Sequence, residues 1–453
     1  MNQKGFIPIA VIVTIVIILA ASGGAFFMYQ KSATKPHETQ SETVSEKMSG
    51  PMPSSLPPQS PTISIPPATA RSSPAIAPPT AQKIIPQKTT PAPPHTEVPP
   101  RIPTPPPTTS ASFRNAPELP SAAERNTLSD CASTVFSFAP VELNRLMNIS
   151  PLGNLGPPGH TFPTEHMFFH ITAGGVTTDT IPLYAPGDIH LTLIYFGRGF
   201  TQDTIDYTIW FAPCKDIVAY YNHVKELSPE LEKIVAESPC AFSGESKETR
   251  CNVSTLTPIA KGMRIGQVGR LQGNFDMGLI DLRKTHVFAN PDRYGMRSLH
   301  IECPLDYFDG NTASRLYALL SRSDKKCGTV AQDIPGTLKG NWFFENARAD
   351  RSTDWHKYLA FVDDSERPDI AVISVGGTFA AAGKWEFSPQ TSGQVNRTFA
   401  DVKPDSATYC YESQKMSGRI IVRLESATEL KIEYQQESCT QSFIFITPTT
   451  YKR

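Results

Sequence analysis

The chain has 453 residues with a formal net charge of -1, and 22 of its 42 prolines fall between Pro51 and Pro120. Near-neutral charge, with no Lys/Arg run interleaved with aromatics in the second part of the chain, excludes a counterion-release mode of nucleic-acid binding. The proline-rich stretch holds almost no large apolar residues and cannot bury a core. About 330 residues remain from Ser121 onward, enough for two domains.

Residues 1–31 read as a transmembrane anchor. After Lys4 and Gly5 the chain is uncharged from Phe6 to Gln30, long enough at about 1.5 Å per residue to cross a hydrocarbon core of about 30 Å. The apolar run continues through Phe26, Phe27 and Met28, past the small residues Ala20 to Ala25, which favours an uncleaved anchor over a signal sequence. Residues 32–120 form a disordered Pro/Ser/Thr-rich linker, reaching roughly 50 Å as a coil or roughly 250 Å as polyproline helix. All eight cysteines lie beyond it. An even count behind an export segment reads as disulfides and an extracytoplasmic head, at the cell surface or in the periplasm. Spacing suggests Cys240 with Cys251, Cys303 with Cys327 and Cys410 with Cys439, leaving Cys131 and Cys214; buried free thiols are the alternative.

The head is expected to be mainly β. In residues 121–327, the runs His166–Ile171, Ile189–Tyr195 and Asp206–Phe211 are strands by their length, their β-branched and aromatic content and their turn punctuation. Two helices interrupt them: one from the Ser228-Pro229 cap to about Glu237, the other from Thr312 to Ser321. In residues 328–453, Ile420, Val422 and Leu424 share one face, and Leu430, Ile432 and Tyr434 alternate with charged residues, giving an antiparallel hairpin with one wet side. Further strands around Trp342, Tyr358, Ile370–Val375 and Phe443–Ile446 complete a small all-β barrel or sandwich. Asp363, Asp364, Glu366 and Asp401 read as solvated turn residues, with calcium binding as the alternative. Trp210, Trp342, Trp355 and Trp385 are candidates for a glycan groove, at least half of them for the core. Asn148, Asn252 and Asn396 open N-x-S/T triplets.

Four pieces of the first half stand in a telling order: Gly159-His160 with Pro163-Thr164-Glu165-His166; Leu183-Tyr184-Ala185-Pro186-Gly187-Asp188; Tyr221-Asn222-His223-Val224; and Lys261-Gly262-Met263-Arg264-Ile265-Gly266-Gln267-Val268-Gly269. Three imidazoles on separate segments suit a three-ligand zinc site open to water. Together these pieces, over about Gly159 to Tyr294, resemble the LytM (lysostaphin-like) zinc metallopeptidases, which cut peptide cross-links in bacterial cell walls. The resemblance implies a LytM-like antiparallel β-sheet domain. It further implies zinc held by His160, His166 and Asp276, and His223 helping to orient or deprotonate the bound water.

The chain departs from the family pattern at two places. The family pairs His-x-x-x-Asp with an H-x-H strand, whereas here Thr164 follows His160 and the strand reads Asn274-Phe275-Asp276. Leu299-His300-Ile301-Glu302 imitates that strand but comes after Asn290-Pro291, which places it outside the site. The expected function is a membrane-anchored, envelope-acting zinc peptidoglycan endopeptidase. The alternative is a catalytically inactive LytM-like module binding cell wall or a protein partner. A third reading is a pilin-like surface protein, because Lys4-Gly5-Phe6 resembles a prepilin processing site.

Overall fold

The computed structural model describes residues 119–171, 180–198, 205–238, 250–269, 271–413 and 417–453. The expected anchor, linker and Lys4-Gly5-Phe6 site lie outside them, as does Cys240. No helix among the described residues is long and apolar enough to cross a membrane. The described head is mainly β, in two antiparallel sheets with few helices.

The first sheet has ten strands: β1 (Asn148–Ser150), β2 (Met167–His170), β3 (Thr180–Tyr184), β4 (Ile189–Arg198), β5 (Ile205–Cys214), β6 (Ile217–Leu227), β7 (Arg250–Ile259), β8 (Arg264–Gly269), β9 (Asn274–Asp281) and β10 (Ile301–Glu302). Its main path runs β1-β2-β9-β6-β5-β4-β7, and it forks at β6, which pairs with β9 up to Asn222 and with β8 from Val224. His223 sits at that fork with φ 61°. A left-handed backbone is rare for a residue with a Cβ, and here one residue turns the strand from one partner to the next.

Strand β9 is buried along its whole length. Period-two alternation divides it: Phe275, Met277 and Leu279 enter the main hydrophobic core with Met167, Phe169, Ala219 and Tyr221. Asn274, Asp276 and Gly278 therefore face the other way, beside their cross-strand partners His170, Phe168, Asn222 and Tyr220.

The second sheet has eight strands: β11 (Gly340–Phe343), β12 (Tyr358–Asp363), β13 (Ala371–Val375), β14 (Gly383–Phe387), β15 (Tyr409–Tyr411), β16 (Arg419–Ser426), β17 (Glu429–Gln435) and β18 (Thr449–Lys452), in the order β14-β13-β12-β11-β18-β17-β16-β15. The sheet curls: Phe387 of β14 and Tyr411 of β15, at its two ends, have ring centroids 5.3 Å apart. Its concave face closes on a core containing Trp342, Leu359, Phe361, Ile373, Ile420, Val422, Leu430 and Ile432. The β16–β17 hairpin has the register expected from its alternation, with Val422 opposite Ile432 and Leu424 opposite Leu430.

Two local expectations change. The segment Phe443–Ile446 is not a strand. Its phenyl rings are half-buried against Cys410, Ile421 and Cys439, beneath Arg419 and Arg423, but side chains take its backbone groups: Gln435 Nε2 donates to the Ile444 carbonyl and Glu433 Oε2 accepts from the Ile446 amide. The second helix begins early, at Gly310, because Asp309 caps it by accepting from the Thr312 amide; the first, Pro229–Ala236 behind Ser228, is as expected. Cys131 and Cys214 are joined, alongside Cys303–Cys327 and Cys410–Cys439, and Cys251 is disulfide-bonded as well.

Candidate functional site

Asp276 is the centre of the cluster. Its side chain is 2% exposed and its carboxylate is surrounded by nitrogen. Asn274 Nδ2 donates to Oδ1 at 2.9 Å, and Asn222 Nδ2 lies 3.5 Å from Oδ2. Imidazole nitrogens approach that same Oδ2 from two sides: His166 Nε2 at 3.4 Å and His223 Nε2 at 3.2 Å. The far nitrogen of His223, Nδ1, meets Asp206 Oδ2 at 2.8 Å. Burial works against a charge on His223, but the Asp276 and Asp206 carboxylates outweigh it and raise its pKa to about 10. The ring is then an imidazolium donating to both carboxylates. Asp276 is itself held below the usual carboxylate range: burial opposes its charge, and the surrounding imidazoles more than offset that.

His166 has the opposite character. Burial lowers its pKa to about 4, outweighing the attraction of Asp276, so the ring is neutral. Neither ring nitrogen makes a hydrogen bond although both are buried. Leaving buried polar atoms unpaired costs about 1–3 kcal/mol each, and a cost of that size concentrated in one ring calls for a functional account. His160 packs edge-on to His166 with ring centroids 5.4 Å apart, and Phe168 closes against both rings. Burial lowers the pKa of His160 as well, partly opposed by Asp276.

Backbone contacts fix these positions. Thr164, which stands where the LytM pattern has its acid, is buried at the base of a loop: its carbonyl accepts from Gly153, its amide donates to Asn154, and its hydroxyl donates to the His166 carbonyl. It is a structural residue. The next carbonyl, that of Glu165, accepts from Tyr220 Oη at 2.9 Å, and Ser298 Oγ donates to the Glu165 carboxylate. His300 is outside the cluster, its Nδ1 against the Lys284 carbonyl. The acidic turn residues of the second sheet are engaged by protein donors: Asp363 by Lys339, Asp364 by Arg367, Asp401 by Arg397, and Glu366 by Ser150 and Ser321. Asn396 is equally committed, bonding both backbone groups of Glu412 through its amide. Trp210 and Trp342 are core residues, while Trp355 is 42% exposed.

Donor atoms around a tetrahedral zinc with bonds of about 2.0–2.1 Å lie about 3.3 Å apart. The separation of 3.4 Å between Asp276 Oδ2 and His166 Nε2 matches that spacing, and the unbonded nitrogens of His166 suit a ligand. As they stand, no three His, Cys, Asp or Glu side chains among the described residues are arranged to hold a metal ion. The three expected ligands and the expected base are thus neighbours. Asp206, which holds His223, was not picked out in the sequence as a member of the site, and Asn222 and Asn274 were named there as motif positions without the hydrogen bonds to Asp276 that they make.

No protein-family model matches the chain, and no curated protein matches it. Among solved structures it is similar to Helicobacter pylori Csd3. The orthorhombic crystal form gives 12% identity and a TM-score of 0.20 over 33% of each chain. The hexagonal form gives 13% identity and a TM-score of 0.20 over 40% of this chain and 37% of that one. The chain therefore matches well under half the length of Csd3, and that likeness carries no activity across.

Proposed function

We propose that this protein is a membrane-tethered, extracytoplasmic, LytM-like hydrolase that acts on peptides of the cell envelope with a zinc ion held by His160, His166 and Asp276. The observation that carries the reading is the approach of two imidazole nitrogens to one buried carboxylate oxygen, one of those rings having both nitrogens unbonded. Bound zinc would supply Lewis acidity, polarising a carbonyl and bringing the pKa of water towards neutrality. His223 is fixed at Nδ1 by Asp206 and presents Nε2 to the same oxygen, the position of a group that takes a proton from water. Its raised pKa depends first on Asp276. With that carboxylate engaged by a cation, His223 releases its proton more readily.

A second reading rests on Asn274. It occupies the first position of the H-x-H strand and donates its amide to Asp276, so it orients the carboxylate and cannot serve as a base. This favours a non-catalytic module that binds wall peptide or a protein partner. Purified full chain incubated with cross-linked wall peptides, with zinc and with chelator, separates the two. Cleavage that needs zinc and fails in His223→Gln supports the hydrolase; retention on wall material without cleavage supports the binding module. The pilin-like reading is decided by the mature N-terminus, which mass spectrometry would find at Phe6 if that reading held.

A further inference from the structure

We propose that the second sheet positions the loop that carries His160; the consequence for metal binding rests on the reading of His160 as a ligand. In β12 the run Tyr358-Leu359-Ala360-Phe361-Val362 is buried throughout. A strand buried on both faces has something packed on each. Leu359 and Phe361 enter the core of their own sheet. Ala360 and Val362, with Val372 of the neighbouring β13, instead form a cluster around Leu155, with Phe162 packed against it.

Leu155 and Phe162 bracket the loop that carries His160. That loop is pinched by a two-way backbone pair, His160 amide to Gly156 carbonyl and Gly156 amide to His160 carbonyl, at 3.0 and 2.9 Å. Phe162 stacks on Tyr358 of β12, ring centroids 4.3 Å apart and planes 11° from parallel, and lies edge-on to Phe343 of β11. Trp355, from the short helix Ser352–Lys357, faces Gly159, where a Cβ would stand 3.5 Å from its ring. The apolar anchors of the loop thus rest on one surface, built by residues 343–372. His166 and Asp276, by contrast, belong to or adjoin strands of the first sheet. The ligand set is divided between a pair carried by the first sheet and a third member whose loop rests on the second.

Trp355 is a positioning residue, acting through His160, and it has no place in the cluster around Asp276. The test is Trp355→Ala in the full chain, with Trp355→Phe as the conservative control and two readouts. Hydrogen exchange of the peptide spanning Gly156–His160 reports the loop directly, without metal, and titration with zinc alone reports the site. The expected result for Trp355→Ala is exchange faster by about tenfold in that peptide, unchanged exchange in β2 and β9, and weaker zinc affinity, all restored by Trp355→Phe. Unchanged loop exchange would overturn the positioning role. Faster loop exchange with undiminished zinc binding would uphold the positioning of His160 and remove it from the ligand set, so the failure of the zinc reading is separately visible.

Discussion

With metal removed by chelator, the stability of the head should pass through a maximum near neutral pH because of two histidines that meet the same carboxylate oxygen and are shifted in opposite directions. His166 is depressed from 6.5 to about 4. Between those values the unfolded chain takes up a proton that the folded chain refuses, so stability falls as pH drops from about 6.5 to about 4. His223 is raised from 6.5 to about 10, so the stability it contributes is fully present below about 6.5 and is lost as pH rises through 10. At about 1.4 kcal/mol for each pH step across the perturbed range, the acid flank amounts to about 3 kcal/mol by pH 4 and about 2 kcal/mol by pH 5. The alkaline flank is of the same order by pH 9. The assay is urea unfolding of the chelated protein from pH 5 to 9, a window that ends before the buried tyrosines, whose pKa values are raised further, begin to titrate. Asp276→Asn removes the first of the two charges supporting His223 and should flatten the alkaline flank. Stability that stays level or rises between pH 6.5 and 9 would refute the imidazolium between Asp206 and Asp276.

Two further outcomes follow from packing and covalent geometry. Gly278 lies opposite Tyr220, and a Cβ there would stand 2.2 Å from the ring; Gly278→Ala should cost about 2–4 kcal/mol, from overpacking and from the lost bond to the Glu165 carbonyl, read as a lowered urea midpoint. The Cys131–Cys214 bond closes a separation of 83 residues, so replacing both by Ser should destabilise the head by about 4–5 kcal/mol on the chain-entropy account.

The sequence showed strands best where alternation was clean. The Arg419–Gln435 hairpin appears with the register its apolar residues dictate, and Ser228 caps the helix expected behind it. Alternation failed at Phe443–Ile446, where the phenyl rings are half-buried against Ile421 but Gln435 and Glu433 bind the backbone in place of a neighbouring strand. No local pattern records which partner a backbone group will choose. The site shows the same division. His160, His166, His223 and Asp276 were visible as residue types in order. The role of Asp206 was not, since it lies one strand away and meets His223 only because β6 turns at a left-handed residue. Nor was the support of the His160 loop by Tyr358 and Trp355, residues nearly two hundred positions later that read as a strand aromatic and as a glycan-groove or core tryptophan.

The central claim is that His166 and Asp276 stand ready to share a metal ion, and zinc content tests it most directly. Elemental analysis of the purified full chain beside Asp276→Ala should find about one zinc per chain, lost in the variant. No zinc in either protein would contradict the account and leave the charged histidine–aspartate cluster as a structural element of a binding module.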